Sequence, residues 1–148
     1  MKYLIINGHQ FYESATGELN KSLCNIFAEE LSKKGDVMQT KIESGYNPEE
    51  EVEKHMNADV VIVQIPVYWF GGPWIYKKYV DEVFNQAQGR MWSSDGRSRN
   101  NPELQYGTGG LINKTKKFAL SVTWNAPKDA FNNPNHHMFK GKSVAETM

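Results

Sequence analysis

Three short stretches of the chain carry residue types that could do chemistry. Ser14-Ala15-Thr16-Gly17 sets two hydroxyls and a glycine just ahead of a helical run. Unpaired backbone N–H groups and the positive end of the helix dipole at such a place suit a phosphate. Tyr68-Trp69-Phe70, with Trp74 beyond Gly71-Gly72-Pro73, puts a cluster of aromatic rings at the end of an apolar strand. Thr123-Trp124-Asn125-Ala126-Pro127 offers a further ring and a set of turn amides.

Each stretch has a plainer reading. Ser and Thr before a helix are commonly caps, Asn-Ala-Pro is an ordinary turn, and Trp74, already inside its helix, reads as core packing. Tyr68, Trp69 and Phe70 are consecutive, however, and cannot all face one core in regular structure. At least one of them lines a surface or pocket. Aromatic faces beside exposed amides suit a flat polar heterocycle, which stacks on the rings and takes N–H donors at its nitrogens and oxygens. A flavin fits that description.

No hydrolytic or metal-binding pattern competes. There is no Gly-x-Ser-x-Gly or His-Glu-x-x-His, His136 and His137 are adjacent and point apart in regular structure, and His9 and His55 are isolated. Each histidine reads as a surface residue, His9 drawing interest because it lies in the first loop. Cys24, the one cysteine, has no partner and no reactive motif around it, and reads as a small buried or half-buried residue.

These stretches need elements to position them. Tyr3 to Ile6 is an apolar run closed by Asn7-Gly8, which predicts a strand buried on both faces. Leu19, Leu23, Ile26, Phe27 and Leu31 make an apolar stripe on a helix stopped by Lys33-Lys34-Gly35. Asp36 to Ile42 predicts a weaker strand. Asn47, Pro48 and three glutamates then announce a short helix. Asp59 to Ile65 is the most apolar strand, with Pro73 opening the next helix along Ile75, Tyr79 and Val83. Lys117 to Thr123 is a fourth strand, reached through a long polar loop, Gly89 to Asn113, whose length points to a functional role.

Strands alternating with helices predict a doubly wound parallel sheet with helices on both faces, all 148 residues forming one domain. In such sheets ligands sit beyond the carboxyl ends of the strands, where the three stretches fall. Lys plus Arg and Asp plus Glu number 17 each, which argues against nucleic acid and against an anionic membrane as the main partner. The chain has no run near the roughly 20 apolar residues of a membrane span. The short apolar run at the N-terminus and the single cysteine predict a cytoplasmic address.

The segments LIINGHQFYESATGELN, VIVQIPVYWFGGPW, KKYVDEVF, SSDGRSR, YGTGGL and TWNAPKDAF stand in order between Tyr3 and about Gly141. Together they resemble the bacterial NADPH:quinone oxidoreductases of the modulator of drug activity B type. The resemblance implies a flavodoxin-like homodimer in which NADPH gives hydride to N5 of FAD, and the flavin then reduces a quinone by two electrons. It implies that Ala15, Thr16, Gly17, Leu19 and Asn20 bind the FAD phosphates and adjoining groups. Pro66, Tyr68, Trp69 and Phe70 would hold one side of the isoalloxazine ring, Thr123, Trp124, Asn125 and Ala126 another, with Tyr106 also contacting the cofactor.

No proton donor to the quinone is assigned. Arg97 and Arg99 are open to two readings, a contact for the extra phosphate of NADPH or an ordinary solvated loop. Members of the family continue past MFKGKSVAETM with a further helix-and-strand unit, so the resemblance also predicts that the usual fifth, edge strand is missing. Two other functions stay open: an FMN-binding flavodoxin-like electron carrier, and an inactive shortened chain kept as a dimerisation or regulatory module.

Overall fold

The computed structural model describes every residue except 98 and 101. Four strands, β1 (Lys2–Asn7), β2 (Asp36–Lys41), β3 (Val60–Pro66) and β4 (Lys117–Thr123), form one sheet in the order β2-β1-β3-β4. All neighbours run parallel, with Ile5 opposite both Gln39 and Ile62, and Ile62 opposite Ala119. Among the described residues the sheet has no fifth strand, as expected, and β4 lies at its edge.

Helix α1 (Glu18–Ser32) covers one face, while α2 (Pro48–Asn57) and α3 (Trp74–Gln86) pack together on the other. Val61, Val63 and Ile65 of β3 meet Ile75, Tyr79 and Val83 of α3 in the main core, together with Leu4, Ile6 and Val52. Each such side chain, fully buried, contributes about 1.5–3 kcal/mol. α2 starts as its sequence announces: the Asn47 side chain accepts from the N–H groups of Glu49 and Glu50 at 2.9 and 3.3 Å, with Pro48 leading the first turn.

The α1 stripe is only half used. Leu23, Phe27 and Leu31 are half-buried, but Leu19 and Ile26 are 62 % and 54 % exposed, and the buried positions are Asn20 and Cys24. On β4, Phe118 and Leu120 are likewise 65 % and 46 % exposed. Phe118 and Leu120 stand opposite Val61 and Val63, on the face that α2 and α3 cover, at the strand that ends the sheet.

The long connection from α3 to β4 is stitched internally. Ser93 N–H donates to Gly109 O at 2.8 Å and Leu111 N–H to Met91 O at 2.8 Å. It lies at the end of the sheet where strands begin, because Lys117 N–H bonds Asp59 O and Lys116 Nζ reaches the last carbonyls of α2. Among the described residues no helix is long and apolar enough to cross a membrane.

Candidate functional site

The loops after β1, β3 and β4 converge at the carboxyl ends of their strands around a cleft of about 560 Å³. Its first wall is built by the loop after β1. Tyr12 and Ala15 exchange N–H···O bonds of 3.2 and 2.8 Å, and His9 Nε2 lies 3.0 Å from Ala15 O. A carbonyl only accepts, so the proton is on Nε2. The chain then turns through Gly17, at φ +83°, directly into α1.

Gly17 as N-cap has no side chain to offer, and no side-chain cap closes α1. The free N–H groups of its first turn open into the cleft beside Thr16, Leu19 and Asn20. The contrast with α2, whose first turn is capped by Asn47, is direct.

Asn20 forms the floor. It is 2 % exposed; its amide donates to Gln64 O at 3.2 Å, and its Oδ1 accepts from Gln64 Nε2 at 3.0 Å and from Thr123 Oγ1 at 3.2 Å. Asn20 thus ties α1 to the ends of β3 and β4 beneath the cleft.

The loop after β3 supplies the second wall. Val67 N–H bonds Thr123 O at 2.9 Å, holding this loop to the one after β4. Tyr68 and Gly71 exchange bonds of 2.8 and 3.1 Å around a two-residue turn in which Trp69 and Phe70 both take left-handed φ, +50° and +69°. Such a turn holds Trp69 out, at 95 % exposure. Tyr68 donates its hydroxyl to Gln10 O at 3.1 Å and meets Tyr12 edge-on at 5.5 Å, so it locks the β1 and β3 loops together. Burial, with smaller help from Tyr12 and Glu43, raises the Tyr68 pKa and keeps the phenol protonated.

The third wall is Thr123, Trp124 and Asn125. Among the described residues the backbone N–H groups of Trp124, Asn125 and Ala126 have no protein acceptor. Trp124 packs edge-on against Phe131 at 5.3 Å, in a small second core with Phe139 and Ala130.

The cleft therefore gathers Ala15, Thr16, Gly17, Leu19 and Asn20 with Pro66, Tyr68, Thr123, Trp124 and Asn125. Trp69 lines a second cleft of about 570 Å³ on the other side of Tyr68, with Tyr12, Pro73 and Trp74. Phe70 and Ala126 stand behind the first cleft, packed with Trp124 and the second core. Tyr106 is not in either cleft: it is 77 % exposed on the α3–β4 connection, beneath Arg97 at 5.4 Å. Arg97 also pairs with Asp95.

Three expectations are corrected. Trp74 is 61 % exposed rather than core, because it is the first residue of α3 and projects over the second cleft. His9 and His55 are buried, at 4 % and 6 %, not on the surface. His9, missed as a site residue, was marked in sequence only by standing two positions beyond the β1 strand.

The chain belongs to the flavodoxin-like fold family, which it matches over residues 1–146. It is similar to the NADPH:quinone oxidoreductase MdaB of Haemophilus influenzae, with 43 % identity over 97 % of this chain and 74 % of that one. The likeness seen in the sequence segments is thereby borne out. Among solved structures it resembles an NADPH-quinone reductase from P. pentosaceus, with TM-score 0.65 and 20 % identity over all of this chain and 73 % of that one. It also resembles general stress protein 14 of Treponema denticola in complex with FMN, with TM-score 0.64 and 19 % identity over 99 % and 72 %. Those two likenesses show the shared fold.

Proposed function

We propose that this chain is a flavin-dependent NAD(P)H:quinone oxidoreductase, one flavin-binding domain that takes FAD and works as a cytoplasmic homodimer. The observation that carries the reading is the meeting of an uncapped helix start, aromatic rings and unpaired turn amides in one cleft. The donor set fits a flavin: N–H groups of the α1 first turn for phosphate, and those of Trp124, Asn125 and Ala126 for a carbonyl-bearing ring edge. The similarity to a relative named as an NADPH:quinone oxidoreductase supports the reaction class.

When bound, the flavin supplies two-electron acceptance from a nicotinamide and delivery to a quinone. The chain's part is to hold and bias it. Ala15 to Asn20 would hold phosphate, Pro66 and Tyr68 would flank the ring, and Thr123 to Ala126 would face the edge where negative charge gathers on reduction. Donors already in place for that charge favour the reduced state without reorganisation. Tyr68, kept neutral and hydrogen-bonded to Gln10, holds the wall in place.

FAD is proposed over FMN because a second aromatic cleft adjoins the first across Ser14, Ala15, Val67 and Tyr68, giving room beyond what a mononucleotide needs. The position of Tyr106 supports the homodimer: exposed and lining neither cleft, it would meet a flavin only from a second copy. NADPH is the proposed hydride donor.

The test is the visible spectrum of the protein after incubation with FAD and desalting, followed by quinone-dependent oxidation of NADPH. A retained, structured flavin band with turnover is expected. Retention without turnover would favour the electron-carrier reading, and no retention by the folded protein would overturn the proposal.

A further inference from the structure

Phe139 touches both loops that flank the cleft, although it lies in neither. Its ring, 6 % exposed, stands edge-on to Phe70 of the β3 loop at 6.2 Å and 82°, and edge-on to Trp124 of the β4 loop at 6.0 Å and 78°. Its face stacks on Phe131 at 5.0 Å and 13°. Phe70 and Trp124 are themselves 6.3 Å apart and tilted.

The segment that carries Phe139 is built to hold it there. Asn132 N–H bonds Lys142 O at 2.9 Å, closing residues 132–142 into a loop, and Phe139 N–H donates to His136 Nδ1 at 3.3 Å. Asn132, Lys140 and Gly141 take left-handed φ of +56°, +48° and +87°, the sharp turns that bring Phe131 and Phe139 face to face.

The two rings that Phe139 joins have no hydrogen bond to fix them among the described residues. The Trp124 indole N–H is buried without a hydrogen-bond acceptor, so no directional bond orients that ring. Phe70 is 47 % exposed and sits in a strained two-residue turn. Ring packing orients both side chains, Trp124 against Phe131 at 5.3 Å as well as Phe139, and Phe139 is the neighbour that Trp124 and Phe70 share.

We infer that Phe139 is a positioning residue, which sets the placement of Trp124 and Phe70 at the edge of the flavin cleft through paired edge-to-face contacts. The flavin part of this inference rests on the function proposed above; the ring placement does not. Phe131 provides a matched control, because it contacts Trp124 and Phe139 but makes no ring contact with Phe70.

The experiment compares Phe139→Leu with Phe131→Leu, using Phe139→Met should the leucine variant fail to fold. Three quantities are read: thermal midpoint, the part of the near-ultraviolet circular dichroism that Trp124→Phe removes from the flavin-free chain, and the Kd for FAD and for FMN. Phe139→Leu is expected to abolish the Trp124 signal and weaken flavin binding about tenfold, because two of its four ring contacts, those to Phe70 and Trp124, reach both loops that flank the cleft. Phe131→Leu, with a similar fall in midpoint, should keep most of the signal and bind within about threefold of wild type.

Equal effects of the two variants, or a retained Trp124 signal in Phe139→Leu, would overturn the inference. If the wild-type chain bound neither flavin, the proposed function would fall. The circular dichroism of the flavin-free chains would still decide whether Phe139 places the rings.

Discussion

A Cβ on Gly17 would stand 2.5 Å from Cε1 of His9 and 2.6 Å from its Nδ1. The imidazole fills the space that any side chain at position 17 would need, and the left-handed φ there independently favours glycine. The loop that presents the helix start is therefore fixed from below by one ring and from above by one missing side chain.

Gly17→Ala is accordingly expected to cost about 2 kcal/mol, roughly 4–8 °C in Tm, and to displace His9 from Ala15 O. In a His9→Ala background the same substitution should cost less, since the clash is gone and only the φ strain remains. A double-mutant cycle by thermal denaturation measures the difference. An additive cycle would mean that the two residues act apart.

His55 makes the fold sensitive to acid. Burial outweighs the opposing pull of Glu51 and, with Lys116 adding to it, lowers the imidazole pKa from 6.5 to about 4. Nε2 lies 3.1 Å from the Tyr79 hydroxyl, which donates onward to Glu51 at 2.8 Å. The unfolded chain binds the His55 proton more readily than the folded one. Stability from this group is thus complete above pH 6.5 and lost as pH falls toward 4, by about 3 kcal/mol. Urea unfolding from pH 7 to pH 4.5 should show that slope in wild type, and a shallower one in His55→Phe. Parallel slopes would place the acid sensitivity elsewhere.

The elements were legible in the sequence because their signals are local. The continuous apolar runs around Ile5 and Val63, the Asn47-Pro48 cap and the Pro73 start each act within a few residues. The three site stretches were legible for the same reason, as consecutive aromatics and turn residues at strand ends. What could not be read depends on contacts between distant segments. Trp74 lies on the outer side of its helix start, His9 is buried by a loop that folds over it, and Ile26, though in the apolar stripe of α1, is left exposed. Residues 128–148, given no structure from sequence, are organised around Phe131 and Phe139, which no local period announces.

Asn20 should behave as a strut more than as a surface ligand. Asn20→Leu would leave Gln64 and the Thr123 hydroxyl without their partner and is expected to cost about 2–4 kcal/mol in urea denaturation. Adding Gln64→Leu should return part of that loss, because fewer buried polar groups are then orphaned. No recovery in the double variant would argue that Asn20 acts through the cleft alone.

Among the described residues no strand pairs with the outer edge of β4, which also carries exposed Phe118 and Leu120. An edge of this kind recruits another chain unless charge blocks it. Leu120→Lys should shift sedimentation equilibrium toward monomer while changing Tm by no more than a degree or two, since the side chain is already half in water. An unchanged association state would show that this edge carries no contact between copies.

Trp69 sets stability against function. With its ring 95 % exposed and its backbone left-handed, it occupies a turn position that Asn fills with less strain. Trp69→Asn removes almost no packing and should raise stability by about 0.5–1 kcal/mol. The same change removes an aromatic wall of the second cleft, so FAD should be retained about tenfold less well. Opposite signs in the two measurements are what a residue kept for its ring predicts. A variant that gained stability and held FAD as tightly as wild type would show that the ring serves some other partner.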